Sequence, residues 1–573
     1  MRQLVARTVA VAMIVGLASS VPMSAQEPDT SRATSRREPL PADVAREIAD
    51  LYNAPGTLRV AGSLEIAAER TVTGDVAVTG GPTFIIGGRV TGRVVAINAD
   101  VILRPGARVD GDILIVGGRI EGRESATVVG TVRVFRQSLS YHMEGDRLVP
   151  DRQRAEERPR FGRIYNFGAR TVSQLSFTAT PYNRVEGLPV HIGPTLEHRA
   201  RDADFRIEVQ GILRSVDSFE WTPDNVGHRV FGEAKLGRSR GIGIGGSLFD
   251  VVDPIERWHF KDTEAGLAAF FLHRDFRDHF ERHGGGVHVS AFGGDEQALT
   301  LGYRNERWRS RATRDPFTLF RDKQEWRANP FVHDGSVRLL TAEYRYDTRN
   351  DEADPWTGWF LSGDVERGSG TLRLPLAGEV AERVTYARGF ADLRRYNRLS
   401  PDAQVNMRAV IGGWLGGDDL PLQRRLSVGG AGTLPGFDFR GNSGAVDVGQ
   451  CGGGLLDGAP ALCERVVLLQ IEYRGALSFG RIGLGDLVPD WWSARGLKAP
   501  QWVAFADAGR GWLVGERQGD LQYPGSTVLP PLETFRTDVG LGLDMRVIGV
   551  FVAKAVSDRH EPANFFVRVR HRF

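Results

Sequence analysis

The side chains whose types and spacing come closest to chemistry lie in one short stretch. His279, Glu281 and His283 stand together, with His273, Asp275 and Asp278 just before them. On a helix, His279 and His283 would share a face at i, i+4 and could hold a divalent metal with a carboxylate. The residues that follow argue otherwise. Gly284-Gly285-Gly286 leads into alternating Val287 and Val289, the pattern of a turn and a strand. The expected reading is therefore a strand end without a metal. No nucleophile elbow, phosphate-binding Walker loop or H-E-x-x-H helix occurs in the chain. The glycines from Gly241 to Gly246 fit crowded strands better than a phosphate cradle. Neither an enzyme nor a cofactor is expected. The two cysteines, Cys451 and Cys463, share one Gly-rich stretch. In an oxidising compartment they are expected to form a loop disulfide, with two free thiols as the alternative.

Composition sets the frame for these residues. The 573 residues carry 73 basic and 71 acidic side chains, a net charge of +2. That balance creates no field for nucleic acid. Residues 1–25 read as an export signal. Arg2 and Arg7 precede the apolar run Val9 to Leu17, and Ser24-Ala25 precedes a cut at Gln26. A retained anchor helix is the alternative, but the run is shorter than the ~20 residues a span requires. An exported membrane protein without spanning helices must cross as a closed β-barrel, because lipid satisfies no backbone hydrogen bonds.

The elements change character along the chain. Residues 26–56 are polar, with a short helix after Pro41 that places Val44, Ile48 and Leu51 on one face. Residues 57–135 carry a repeat. Val72-Thr73-Gly74-Asp75-Val76, Val90-Thr91-Gly92-Arg93-Val94 and Val109-Asp110-Gly111-Asp112-Ile113 recur every 18 to 19 residues, with an echo at Ile120-Glu121-Gly122. A short fixed period with β-branched runs and Gly corners predicts a β-solenoid, with a small β-sandwich as the alternative. The repeat resembles the bactofilin type of polymer-forming β-helix, which implies possible self-association. Residues 136–163 read as a charged, flexible linker.

From residue 164 to 573 the pattern is alternating strands. Phe205, Ile207 and Val209 alternate with Arg206, Glu208 and Gln210; Leu340, Ala342, Tyr344 and Tyr346 with Thr341, Glu343, Arg345 and Asp347; Val467, Leu469, Ile471 and Tyr473 with Leu468, Gln470, Glu472 and Arg474. Soluble sandwiches alternate too, so the export signal and the C-terminus decide for a membrane barrel. At the end, Phe565, Val567, Val569, His571 and Phe573 fall on one face, and Arg568, Arg570 and Arg572 on the other. The expected fold is all-β: a transmembrane antiparallel barrel, sixteen strands fitting best and twelve or fourteen remaining open, preceded by a small periplasmic solenoid.

Several motifs give this region a resemblance to the BamA/TamA superfamily, the bacterial surface antigen family. Tyr346-Asp347-Thr348-Arg349-Asn350 with Pro355 and Gly358 is similar to its strand-and-turn element. Tyr182-Asn183-Arg184-Val185-Glu186-Gly187-Leu188 resembles the element near the start of its barrel. Gly429-Gly430 with Leu434-Pro435-Gly436-Phe437 stands where the family has its inward loop motif, and Phe505-Ala506-Asp507-Ala508-Gly509 matches a strand motif. Phe565, Val567, Val569 and the terminal Phe573 resemble the family's C-terminal barrel signal.

The resemblance implies a long outer loop folded into the lumen, its arginine clasped by strand carboxylates, here Glu472 and Asp507. Pro435 stands at the position of that arginine, and Arg440 is the nearest residue able to supply the charge. A weak seam between first and last strands is also implied, with the strand from Phe565 on one side. The docking repeats of assembly factors are replaced here by the solenoid. The implied location is the outer membrane, with lipids and nascent outer-membrane or exported proteins as partners. The implied role is protein insertion or translocation. A membrane-anchored scaffold presenting the solenoid, or a passive channel, are the alternatives.

Overall fold

The computed structural model of the chain describes residues 40–135, 137–139, 141–144, 146–150, 164–166, 171–216, 220–238, 240–294, 296–352, 354–376, 379–400, 403–437, 463–476, 500–514, 522–523, 532–545, 548–569 and 571–573. The expected export signal lies outside them.

The N-terminal module opens with helix α1 (Ala42–Asn53). Short strands follow: β1 (Leu58–Ile66), β2 (Thr71–Val72), β3 (Val76–Ile86), β4 (Arg89–Val90), β5 (Val94–Ile97) and β6 (Asp100–Leu103). They continue as β7 (Arg108–Val109), β8 (Ile113–Val116), β9 (Ile120–Glu121), β10 (Thr127–Val128) and β11 (Val132–Phe135). All their ladders are parallel, and Leu58, Val76, Val94, Ile113 and Val132 stack as one column through successive rungs. This is a β-solenoid. Val76, Val78, Val94, Ala96, Ile113 and Ile115 are fully buried in its core. The repeated glycine is required at the corner. A Cβ on Gly92 would stand 2.3 Å from the carbonyl carbon of Gly74, and one on Gly111 would stand 2.4 Å from the Gly92 oxygen.

The outer face of the main sheet is covered as well. Ala77, Val95, Leu114 and Val116 pack under Val44, Ile48 and Tyr52 of α1 and under Leu139 and Leu148. Leu148 belongs to a hairpin, β12 (Tyr141–Glu144) and β13 (Arg147–Pro150). Part of the stretch read as a flexible linker is therefore ordered. Its apolar residues are few, but they meet an apolar face, and Asn53 exchanges two hydrogen bonds with the Leu148 backbone at 2.8 and 2.9 Å.

The second module is an antiparallel wall of sixteen strands. A three-residue strand, β14 (Ile164–Asn166), pairs with the edge of β15 (Thr171–Ala179). The wall runs on through β16 (Pro189–Arg199), β17 (Ala203–Arg214), β18 (Val226–Leu236) and β19 (Arg240–Pro254). Then come β20 (His279–Gly293), β21 (Gln297–Ser310), β22 (Asp334–Asp347), β23 (Gly358–Arg373) and β24 (Glu382–Ser400). β25 (Ala403–Gly417), β26 (Arg465–Ala476) and β27 (Gln501–Val514) follow. After the two-residue β28 (Gln522–Tyr523), which pairs parallel with the end of β27, the wall ends in β29 (Arg536–Asp544), β30 (Ile548–Ala555) and β31 (Asn564–Val569). Alternation works as barrel physics requires. Leu299, Leu301, Leu340, Tyr344, Val365, Leu469 and Ile471 are exposed on the outside, while Glu306, Glu366, Asp392, Glu472 and Asp507 are buried inside.

One end of the wall carries most of the long connections, and the other carries mostly two- to three-residue turns together with the longer connections 348–357 and 477–500. The solenoid rests against the short-turn end, where Ser138 Oγ donates to Asp351 at 2.9 Å and Arg398 donates to the Asn98 carbonyl at 3.2 Å.

The C-terminus departs from its sequence pattern. β31 stops at Val569. Phe565 is 68% exposed on the outer face, but Phe573 is only 5% exposed. His571, Arg572 and Phe573 leave the strand and are buried, so the alternation in the sequence outruns the strand that produces it.

Candidate functional site

The candidate site is built by two connections that turn into the lumen and by the C-terminal tail that meets them. The first is the loop after β25. Its entry is anchored by Arg424, whose Nε reaches Glu366 at 2.7 Å, and by the bridge between Leu426 and Cys463. Cys463 is disulfide-bonded and buried; Cys451 lies outside the described residues. The tip is a tight turn. Gly429 and Gly430 take φ of 138° and 75°, conformations that favour glycine, and Gly430 N–H donates to the Phe437 carbonyl at 3.1 Å. Thr433 Oγ1 bonds both the amide and the carbonyl of Gly429, at 2.7 and 2.9 Å.

Among the described residues the tip is held through its backbone groups, and its Ala431 carbonyl accepts from Arg568 at 2.8 Å. The Gly436 amide donates to Asp538 at 2.7 Å, Asn564 donates to the Pro435 carbonyl at 3.2 Å, and Gln470 donates to the Thr433 carbonyl at 2.9 Å. A Cβ on Gly436 would stand 2.5 Å from that of Asp538, so only glycine lets the amide approach. Leu434 and Phe437 fill an apolar cluster with Val428 and Leu468, and the Arg536 guanidinium lies 4.4 Å from the centre of the Phe437 ring. Arg440 lies outside the described residues.

The carboxylates expected to clasp the loop have other partners. Glu472 accepts from Asn406 at 2.9 Å and from Arg474 at 2.7 Å. Asp507 is paired with Arg572 of the C-terminal tail, whose other terminal nitrogen is 3.8 Å from Glu472. The Arg572 guanidinium also covers the Phe505 ring. His571 lies between Asp544 at 3.0 Å and Asp354 at 2.9 Å, and Tyr396 donates to the Phe573 carbonyl at 3.4 Å. Buried charges need such partners. Here the tail supplies the cation to Asp507, and the loop supplies one amide, that of Gly436, to its cross-strand neighbour Asp538.

The second inward connection joins β19 to β20 and contains helix α2 (Asp262–Leu272). Its first part reaches deep. Trp258 O accepts from Arg408 of β25 at 3.0 Å, Ser427 donates to Glu256 from both N (2.7 Å) and Oγ (2.5 Å), and Lys261 Nζ donates to the His571 carbonyl at 3.3 Å. Glu264 of α2 forms an ion pair with Arg568 of β31 at 2.6 Å. At the opposite end, Phe270 meets Tyr182 edge-on at 5.2 Å. Arg184 is fully buried between Asp275 at 3.1 Å and Asp278 at 2.6 Å. The helix thus crosses the lumen from the long-loop end toward the last strand.

The histidine cluster does not converge. His279 takes Asp275 at 3.0 Å, Glu281 takes Arg311 at 2.6 Å, and His283 is exposed beside Asp250 at 3.6 Å. Among the described residues no group of side chains is arranged to hold a metal. Sequence reasoning missed Arg572, Arg568, Asp538 and Glu264. The one available signal was the row of arginines opposite the apolar face of the last strand, each of which needs an acid once it points inward.

The Omp85 superfamily domain matches residues 248–547, just over half of the chain. Among solved structures, the chain is similar to BamA from Haemophilus ducreyi lacking POTRA domains 1-3, with 13% identity over 71% of this chain and 74% of that one and a TM-score of 0.38. It is also similar to CdiB from Acinetobacter baumannii, with 10% identity over 70% of this chain and 60% of that one and a TM-score of 0.29. CdiB from Escherichia coli gives 10% identity, 70% and 62% coverage and a TM-score of 0.29. No curated protein matches in sequence.

Proposed function

The chain belongs to the Omp85 superfamily of outer-membrane β-barrels, and from that premise we propose that it inserts or secretes protein clients at the outer membrane through the seam between β15 and β31. The observation that carries this reading is the seam. Every neighbouring pair in the wall shares a ladder, and among the described residues none joins β31 to β14 or β15. An unpaired strand edge offers N–H and C=O groups on which another strand can form. β31 is only six residues long and stops at Val569, so little of it is committed to closure.

Two further observations support the same reading. The lumen is crossed by α2 and by the 429–437 turn, which favours lateral passage over axial flow and weighs against a passive channel. The end with most of the long connections fits the outside of the cell, and the end with most of the short turns, where the solenoid rests, fits the periplasm.

Depletion of the protein, followed by quantitative proteomics of outer-membrane and secreted fractions, tests the proposal. At least one barrel or exported protein is expected to fall in abundance. Unchanged levels of every such protein would reject the role.

A further inference from the structure

The apolar band on the outside of the wall is not edged alike all round. On β21 the outward residues run Leu299, Leu301, Tyr303, Asn305, Arg307; on β22, Tyr344, Ala342, Leu340, Arg338; on β23, Trp359, Leu361, Gly363, Val365, Arg367. In each strand the arginine follows the apolar run on the long-loop side. Arg373 of β23 and Arg383 of β24 stand beyond them on the same face, and all of these arginines are exposed.

Their arrangement follows from register. Arg307 is opposite Ser336, so Arg338 is its diagonal neighbour. Arg338 is opposite Ser369, so Arg367 is the next diagonal neighbour. Diagonal pairs lie ~7–8 Å apart, close enough for two long side chains to share one ligand. Three acids near the outer face of these strands are already engaged. Asp334 accepts from the Ser310 amide at 2.5 Å, Glu281 pairs with Arg311 at 2.6 Å, and Asp250 faces His283 at 3.6 Å. Among the described residues none of the five arginines forms an ion pair. Two other outward cations are satisfied from within: Arg465 donates to the Trp414 carbonyl at 2.8 Å, and Lys554 donates to the Arg559 carbonyl at 3.2 Å.

An unpaired charge beside the hydrocarbon is costly unless its head reaches the polar layer. Guanidinium groups there present planar, forked donors that match phosphate oxygens. We propose that Arg307, Arg338 and Arg367, with Arg373 and Arg383 above them, form a binding site for phosphorylated lipid headgroups of the leaflet on the long-loop side. The orientation proposed above serves only to identify that leaflet as the outer one.

The test uses the full-length protein in phosphatidylcholine nanodiscs doped with diphosphoryl lipid A or with its dephosphorylated form. Nanodiscs expose both leaflets and contain no client, so the result is independent of orientation and of the transport role. Lipid retained after re-extraction into detergent is counted by native mass spectrometry. The wild type is expected to keep the phosphorylated lipid and shed the other. Arg307→Gln with Arg338→Gln and Arg367→Gln is expected to retain at least tenfold less, and lysine at the same positions to preserve most retention. Equal retention of both lipids by the wild type, or undiminished retention by the folded glutamine variant, overturns the proposal. If that triple variant does not fold, the wild-type comparison and Arg338→Gln alone decide it.

Discussion

Arg572, beyond the end of the last strand, places its guanidinium against Asp507 in the middle of β27. Asp507 is directly opposite Asp538 in the neighbouring strand, so two buried carboxylates share that region of the lumen. One is neutralised by the tail, and the other accepts the Gly436 amide. Arg572→Ala removes a buried partner and is expected to cost about 3–5 kcal/mol. The check is the temperature at which the folded barrel loses its fast electrophoretic mobility, which should fall clearly. Adding Asp507→Asn should recover part of the loss. A variant that melts with the wild type would show that the tail does not hold the site.

The pair Glu264–Arg568 links the lumen helix to the last strand. Glu264→Ala should loosen that link. If the pair contributes ~3 kcal/mol to the closed arrangement, the open fraction rises by up to about a hundredfold. Single-channel recording in planar bilayers would detect this as more frequent opening events than in wild type. Identical records would mean that α2 is held by its other contacts.

In the solenoid, Gly111→Ala puts a methyl 2.4 Å from the Gly92 oxygen and 2.7 Å from the Arg93 nitrogen. Both are backbone atoms of the rung beneath and cannot turn aside. Overpacking of this kind costs roughly 1–3 kcal/mol. Hydrogen exchange should accelerate in β5 and β8, while the barrel strands stay protected. Unchanged protection in the rungs would show that the corner can spread.

His333 lies in the connection between β21 and β22, outside the strands, and its Nδ1 accepts the Leu422 amide at 3.1 Å. Burial and the nearby Arg425 lower its pKa from the ordinary 6.5 to about 4. The unfolded chain therefore takes up a proton before the folded one does. Stability from this residue is complete above about pH 6.5 and is lost as pH falls toward 4, by at most about 3 kcal/mol. His333→Gln should flatten that part of the profile, followed by exchange of the Leu422 amide against pH. A parallel profile in both proteins would rule the residue out.

Much of the architecture is readable in the chain because its elements are periodic. The 18–19-residue repeat became stacked rungs, and alternation at Leu340–Asp347 and Val467–Arg474 became β22 and β26. What escaped is non-periodic or distant in sequence. Helix α2 contains Gly266-Leu267-Ala268-Ala269-Phe270-Phe271 and is buried on several sides, so it has no polar face to betray it. The hairpin at 141–150 is sparse in apolar residues and gains order only from the sheet it covers. Arg184 meets Asp275 across 91 positions of sequence, a pairing no local pattern encodes. The last strand misled for the opposite reason: residues past Val569 keep the rhythm of a strand after the backbone has turned away.

That turn has a temporal consequence. Once the barrel has formed, His571, Arg572 and Phe573 are sealed behind the wall, beside acids of β27, β29 and the connection between β22 and β23. Before it forms, the same three residues are in reach of any factor that meets the chain. A factor that grips this segment would hold only unfinished molecules and would be evicted as the acids close around it. Completion of the fold would thus hide the segment from any such factor.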